Sequence, residues 1–235
     1  MDRLYFIIPA YNEEDNIKTL VSDWYPLVEK IAASRLVIIN DGSKDNTLEK
    51  LYQLSNNCPQ LIVLNKQNGG HGDTVLFGYR YAIENGADWI FQTDSDGQTK
   101  ADEFLGFWDI REKYDAILGN RRKRGDGVSR KIVEKVLCVM IWVFFCVKVP
   151  DSNCPFRLMR ANKVNKYIGQ IPEHYFLSNV MLIVFFLINR DRVLFKEVAF
   201  ESRKSGKGTL NLKKIMAVGL QSIKDFRMFK VEMGK

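Results

Sequence analysis

The stretch Trp89-Ile90-Phe91-Gln92-Thr93-Asp94-Ser95-Asp96-Gly97-Gln98 runs an apolar segment straight into two carboxylates two residues apart. The apolar part has the length of a strand covered on both faces. Carboxylates carried at its end and released by a glycine can both face one opening. That opening suits a divalent ion, because Mg²⁺ and Mn²⁺ take hard oxygen ligands, usually one or two carboxylates with water and substrate phosphate completing the shell. The same residue types also form solvated turns, so the pentapeptide from Asp94 to Gln98 leaves both readings open and its surroundings decide.

Working outward, the strand pattern repeats. Residues 4–8 form a continuous apolar run ended by Pro9, after which Asn12 can cap a helix whose Glu13, Glu14 and Asp15 favour its positive end. Ile17, Leu20, Val21 and Trp24 follow at helical spacing, and Pro26 predicts a kink or a fresh helix reaching Ile31. Residues 36–39 are a second strand closed by Asn40-Asp41-Gly42-Ser43, before a helix bearing Leu48, Leu51 and Leu54. Residues 61–64 are a third strand, Asn68-Gly69-Gly70-His71-Gly72 a loop, and 74–84 a helix leading to the strand at 89–93. Four strand–helix alternations argue for an α/β fold with a mostly parallel sheet and helices on both faces. Ligands of such sheets bind beyond the carboxyl ends of the strands. Those ends carry residues 9–13, 40–43, the glycine loop and 94–98, which therefore converge on one rim.

The second half reads differently. Residues 115–118 form a short strand, 119–130 a basic glycine-containing loop, and 132–147 a helix. Asp151-Ser152-Asn153 is a polar turn before a strand at 156–159; a helix at 173–189 and a strand at 193–200 follow. Residues 210–230 alternate apolar and basic positions in the pattern of an amphipathic helix that packs on the body or lies at a membrane surface.

The 235 residues carry a formal charge of +7, concentrated in Arg121-Arg122-Lys123-Arg124 and beyond Arg203. Anionic partners are implied: nucleotide phosphates, nucleic acid or an acidic membrane surface. A nucleic-acid-binding protein is disfavoured, since no reading module or aromatic-interleaved basic stretch is present. Cys58, Cys138, Cys146 and Cys154 form no Cys-x-x-Cys pair, as expected of thiols in a reducing compartment. Met1-Asp2-Arg3 runs directly into a strand, so no signal peptide is expected. The apolar runs 136–147 and 180–188 are shorter than the ~20 residues of a spanning helix, which makes them core or interfacial helices. No linker or repeat divides the chain, and one domain spanning 1–235 is expected.

Several chemistries are excluded by pattern. No Gly-Lys-Ser/Thr follows the glycine loop, and the first strand ends in Pro-Ala-Tyr without a dinucleotide glycine motif. The two histidines, His71 and His174, lie in no zinc-type spacing, and no nucleophile elbow is present. Metal-assisted departure of a nucleoside diphosphate fits the rim best.

Ile8-Pro9-Ala10-Tyr11-Asn12-Glu13-Glu14, Asn40-Asp41-Gly42-Ser43-Lys44-Asp45-Asn46-Thr47 and Thr93-Asp94-Ser95-Asp96-Gly97-Gln98 together resemble the family 2 glycosyltransferases, which have the GT-A fold. Leu118-Gly119-Asn120-Arg121, residues 151–157 and residues 203–208 are similar to the pattern of the polyprenyl-phosphate hexosyltransferase branch, which includes dolichyl-phosphate mannose synthases. The resemblance covers nearly the whole chain and is most specific in the first 100 residues. It implies a nucleotide-sugar-binding half at 1–100, an acceptor half at 101–209 and a basic amphipathic helix at 210–230. Pro9, Ala10, Tyr11, Glu13 and Asp41 would hold base and ribose, Asp94 and Ser95 would sit near ribose and diphosphate, and Asp96 with Gln98 would hold Mg²⁺ or Mn²⁺. Arg121 and Arg130 would approach an acceptor phosphate, which the planar guanidinium binds bidentately, and Arg203 and Lys207 would flank diphosphate or acceptor. Asp151 joins Asp96 as a catalytic candidate: a general base for a hydroxyl acceptor, or an orienting group where the acceptor is already an anionic phosphate.

This chain departs from the family pattern at Asn40, at Ser152-Asn153-Cys154-Pro155, at Gly208-Thr209 and at His71. These departures bear on the acceptor more than on the donor. His71 either touches sugar or diphosphate or stabilises its loop. The expected activity is inverting, metal-dependent transfer of a hexose from a UDP- or GDP-sugar to a lipid-linked acceptor such as polyprenyl phosphate, by a peripheral protein at the cytoplasmic face of the cell membrane. The alternatives are a soluble or growing polysaccharide as acceptor, or a non-catalytic nucleotide-sugar-binding scaffold.

Overall fold

The computed structural model describes residues 2–121, 128–201 and 221–230, with side chains for all of these except 128–132. Its elements are β1 (Leu4–Ala10), α1 (Ile17–Lys30), β2 (Arg35–Asp41), α2 (Thr47–Ser55), β3 (Leu61–Lys66), α3 (His71–Glu84), β4 (Trp89–Gln92), α4 (Leu105–Trp108), β5 (Ala116–Asn120), α5 (Val128–Phe145), β6 (Arg157–Arg160), α6 (Ala161–Ile168), α7 (Ser178–Ile188) and β7 (Val193–Glu197). Residues 221–230 are also helical.

Among the described residues the strands form one sheet in the order β3-β2-β1-β4-β6-β5-β7. β6 runs antiparallel to β4 and β5, and the other pairings are parallel. The continuous apolar reading of β1 follows from this position. Leu4, Phe6 and Ile8 enter one core with α1, Phe104 and Phe107, while Tyr5 and Ile7 enter the other with α3, α6 and α7. Alternate residues of a strand face opposite ways, so a strand covered on both sides is apolar throughout. α3 lies close on the sheet because position 78 is glycine: a Cβ there would sit 2.4 Å from Ile7 Cγ2.

Pro9 continues β1 where the sequence predicts an end. Ile7 O accepts from Thr93 N at 3.2 Å, so Ile7 and, by alternation, Pro9 turn toward β4. The pairing of β4 with β1 stops at Gln92, and the missing N–H of Pro9 leaves no gap in the ladder.

Other boundaries also move. α1 begins at Ile17, not after Asn12, which sits at φ 54° and accepts from Lys44 N at 2.8 Å. α1 runs through Pro26 without ending, since Trp24, Tyr25, Leu27 and Val28 around it are all buried against the sheet. α5 starts at Val128, inside the expected loop, and α7 starts at Ser178, five residues after the expected helix start at 173. α6 has no counterpart in the sequence reading; its polar Asn162, Lys163, Asn165 and Lys166 dilute a single buried stripe of Ala161, Val164, Tyr167 and Ile168.

Candidate functional site

The loops after β1, β2 and β4 and the loop entering α3 meet at one rim. Asn12 N donates to Ser43 Oγ at 2.9 Å, and Glu13 N donates to Thr47 Oγ1 at 2.8 Å, which binds the β1 loop to the β2 loop. Asp41, at the end of β2, is 4% exposed. Its Oδ1 accepts from Lys66 Nζ and Gly69 N, both at 2.9 Å, and its Oδ2 accepts from Gly70 N at 3.0 Å. Burial alone would raise the Asp41 pKa, but the lysine and the loop amides outweigh it and hold the carboxyl below its ordinary value. Lys66 also reaches Asp73 at 2.8 Å, and His174 Nδ1 lies 3.0 Å from the other oxygen of Asp73. The next residue in the loop, His71, places Nε2 2.9 Å from Asp94 Oδ1. Two consecutive loop residues thus join the acids at the ends of β2 and β4, as a single rim requires. Of the remaining donor-side candidates, Pro9, Ala10 and Glu13 are buried, and Tyr11 stands 41% exposed at the edge.

Asp94, partly exposed, heads a polar chain that runs into the core. Besides His71, its Oδ1 accepts from Gln92 Nε2 at 3.1 Å; Gln92 Oε1 accepts from Asn179, whose Oδ1 accepts from Tyr79 OH at 2.9 Å. Burial pushes the Asp94 pKa up, yet His71, Arg121 and Arg157 nearby leave it lowered overall. For His71, loss of solvation acts downward and Asp94 more than offsets it, so its pKa is raised. Beneath this chain Arg157, 1% exposed, donates to the main-chain oxygens of Cys154, Asn179 and Ser152.

Gly97 turns the β4 loop at φ 70°, and Gln98 N donates to Asp96 Oδ1 at 3.2 Å. Gln98 Nε2 donates to Glu201 O at 2.8 Å, which directs the amide nitrogen away from its oxygen. Ser95 and Gln98 are buried, Asp94 and Asp96 partly so. Two carboxylates and an amide oxygen form a hard donor set that fits Mg²⁺ or Mn²⁺. Among the described residues no cluster of three or more His, Cys, Asp or Glu side chains is arranged for a metal, so an ion here needs ligand oxygens to fill its shell.

Arg121 and Asp151, the candidates read for the acceptor, face one another. Arg121 Nε lies 2.7 Å from Asp151 Oδ2 and Nη2 lies 2.8 Å from Oδ1, a bidentate pair with Arg121 8% and Asp151 3% exposed. Burial would lower the Arg121 pKa, but Asp151 raises it. Glu134 of α5 accepts from Ser152 N and Oγ at 2.6 and 2.7 Å, locking the turn that carries Asp151. Arg130 lies in α5, its side chain outside the described residues, as are Arg203 and Lys207.

A pocket of about 160 Å³ opens beside this network, lined by His71, Asp94, Asn153, Phe176, Leu177 and Asn179. Lys66, Gln92, Asn179, Tyr79 and Arg157 are not among the candidates read from sequence. Gln92 carried a signal, being polar inside an otherwise apolar buried strand; Asn179, at the head of the apolar α7, carried the same one.

A family model described as Glycosyl transferase family 2 matches residues 5–168. An uncharacterized glycosyltransferase of Synechocystis is 31% identical over 176 residues, which cover 72% of this chain and 54% of that protein. A dolichyl-phosphate beta-glucosyltransferase of Trichomonas vaginalis is 34% identical over 175 residues, covering 65% of this chain and 50% of that one. The chain spans about half the length of these curated relatives. Glucosyl-3-phosphoglycerate synthase from Mycobacterium tuberculosis, solved with Mn²⁺, UDP-glucose and phosphoglyceric acid, superposes with a TM-score of 0.68 at 16% identity, over 97% of this chain and 80% of that one. The likeness shows a shared GT-A fold.

Proposed function

This chain belongs to glycosyl transferase family 2, and on that premise we propose that it moves a hexose from a UDP- or GDP-sugar to a lipid-linked acceptor such as polyprenyl phosphate, with inversion at the anomeric carbon. The observation that carries the donor half is the junction of Asp41 and Asp94 through Gly70 and His71. Pro9, Ala10, Tyr11, Glu13 and Asp41 receive the base and ribose, and Asp94 with Ser95 the diphosphate end. Asp96 and Gln98 would hold Mg²⁺ or Mn²⁺, whose charge offsets that of the departing diphosphate. The Mn²⁺ and UDP-glucose complex of the structural neighbour supports this assignment.

The Arg121–Asp151 pair favours a phosphate acceptor over a hydroxyl. A hydroxyl must lose a proton as it attacks, and the Asp151 carboxylate already accepts two guanidinium hydrogen bonds. A phosphate is anionic beforehand and needs orientation more than a base. Asp151 then aligns Arg121, and Arg130, Arg203 and Lys207 supply further positive charge. The dolichyl-phosphate relative supports the same acceptor class.

Contact with the cytoplasmic membrane face is supported by α5, where Val136, Val139, Trp142 and Val143 are each more than half exposed. Beside them, Phe226 packs on Phe144 and Phe145, and its helix exposes Lys224, Arg227 and Lys230. An apolar stripe flanked by basic residues suits the interface of an anionic bilayer. No described helix is long and apolar enough to cross a membrane. The test is transfer of labelled hexose from UDP- and GDP-sugars to polyprenyl phosphate with Mn²⁺, wild type against Asp96→Ala. Equal rates in the two would remove Asp96 from its role, and transfer only to soluble glycan would overturn the acceptor.

A further inference from the structure

The pocket next to Asp94 is unlike the sites that flank it. Its lining has one carboxylate, one imidazole, two amides and an apolar wall of Pro155, Phe176 and Leu177. Neither of the two buried arginines nearby lines it: Arg121 is paired with Asp151, and Arg157 is spent on three main-chain oxygens. A phosphate entering here without a metal ion would meet the Asp94 carboxylate, and no lysine or arginine is among the described residues of the lining. Neutral hydroxyl groups fit that balance better, because carboxylate and amides accept from and donate to them without a charge mismatch.

The polar lining is also pre-aimed. Asp94 Oδ1 already takes two donors, His71 and Gln92, while no protein donor reaches Oδ2 among the described residues. The Asn153 side-chain amide has no protein partner among them either. Phe176, two residues before α7, is 56% exposed. An apolar ring opposite a fan of hydrogen-bonding groups matches a pyranose, which has C–H faces and an equatorial belt of hydroxyls. The volume of about 160 Å³ is far above the ~10–15 Å³ a single water needs.

We propose that this pocket receives the hexose of the donor, and that Asn153 and Phe176 decide which hexose is accepted. The inference rests on the donor reading above and goes further by assigning recognition to two residues that no motif contains.

The experiment is calorimetric titration of the full chain with Mn²⁺, comparing UDP and GDP with UDP-glucose, UDP-N-acetylglucosamine and GDP-mannose. Asn153→Ala and Phe176→Ala are the variants; both side chains are exposed, so folding is expected to survive and is checked by thermal melting. In wild type, one sugar nucleotide should bind more tightly than its parent diphosphate. Each variant should cut that increment by about fivefold, the scale of one neutral hydrogen bond or its apolar equivalent, and leave the diphosphate affinity within about twofold. An increment that survives both substitutions, or its absence from wild type for all three sugars, overturns the proposal while the donor reading stands. In the transfer assay, a raised KM for polyprenyl phosphate in either variant with the sugar increment intact would also overturn it, assigning the pocket to the acceptor. Failure of wild type to bind either diphosphate refutes the donor reading itself and this inference with it.

Discussion

Replacing Asp151 by Asn tests the buried pair it forms with Arg121. The carboxylate makes two hydrogen bonds to Arg121, at 2.7 and 2.8 Å, and accepts Arg121 N at 3.1 Å and Asn153 N at 3.2 Å. Asparagine keeps the shape but removes the charge and turns an NH₂ group toward the guanidinium. Arg121 would then be a cation whose side chain is 5% exposed. Breaking a buried ion pair by removing one partner costs ~3–5 kcal/mol, because the remaining charge is left uncompensated. Glu134, with Oε2 3.9 Å from Arg121 Nη2, supplies partial compensation, so the lower end, about 3 kcal/mol, is expected. For a chain of this size each kcal/mol shifts Tm by ~2–4 °C, giving a drop of about 6–12 °C. Differential scanning calorimetry of the full chain, with urea unfolding alongside, reads this directly. The paired change Arg121→Met with Asp151→Leu should recover most of the loss, since apolar replacement of a buried pair is often neutral or stabilising. A Tm within about 2 °C of wild type for Asp151→Asn, together with abolished transfer, would refute the reasoning: the acid would then serve chemistry and not the fold.

Other outcomes follow from the same geometry. Asp41 and Asp73 both have lowered pKa values through Lys66, so each adds stability that is fully present above the unfolded value of 3.8 and is lost as pH falls through the folded one. Lys66→Met removes that support and should start acid unfolding at a higher pH; an unchanged acid limb in urea titrations would disprove the bridge. Gly72→Ala places a Cβ 2.3 Å from Tyr175 O and 2.7 Å from Phe176 O, forcing the pocket wall to shift at a cost of ~1–3 kcal/mol. Gly70→Ala meets no atom within 4 Å but is held at φ 83°, for ~1–2 kcal/mol of backbone strain, so only the Gly72 variant should also disturb sugar binding in titrations. Trp142→Glu, at a position 54% exposed, should leave Tm unchanged and reduce flotation with anionic vesicles by roughly tenfold, about 1.4 kcal/mol; undiminished flotation would clear α5 of the membrane role.

Local periodicity made most of the architecture legible. Apolar runs such as residues 4–8 and 36–39 suit strands buried on both faces, and their alternation with helices implied the parallel sheet and its loaded rim. Charge and hydrogen-bonding type at Asp41, Asp94, Asp96 and Gln98 implied the donor chemistry. What periodicity cannot express is direction: nothing in the run at 157–160 shows that β6 enters antiparallel between β4 and β5, since strand polarity is set by the path of the connections. Nor can it express where Pro9 points, which depends on β4 having ended by that level.

At the site the division is the same. The residue types proposed to bind nucleotide and metal were readable from motif, because their chemistry belongs to the side chain itself. Whether Arg121 and Asp151 reach outward or toward each other, and whether Gln92, Asn179 and Tyr79 align behind Asp94, depends on contacts between residues separated by 30 to 100 positions. Sequence determined which charges and amides this protein has to offer. Only the tertiary structure decided which of them are consumed internally and which are left for a ligand, because a buried polar group must find a partner and the fold alone dictates which one lies within reach.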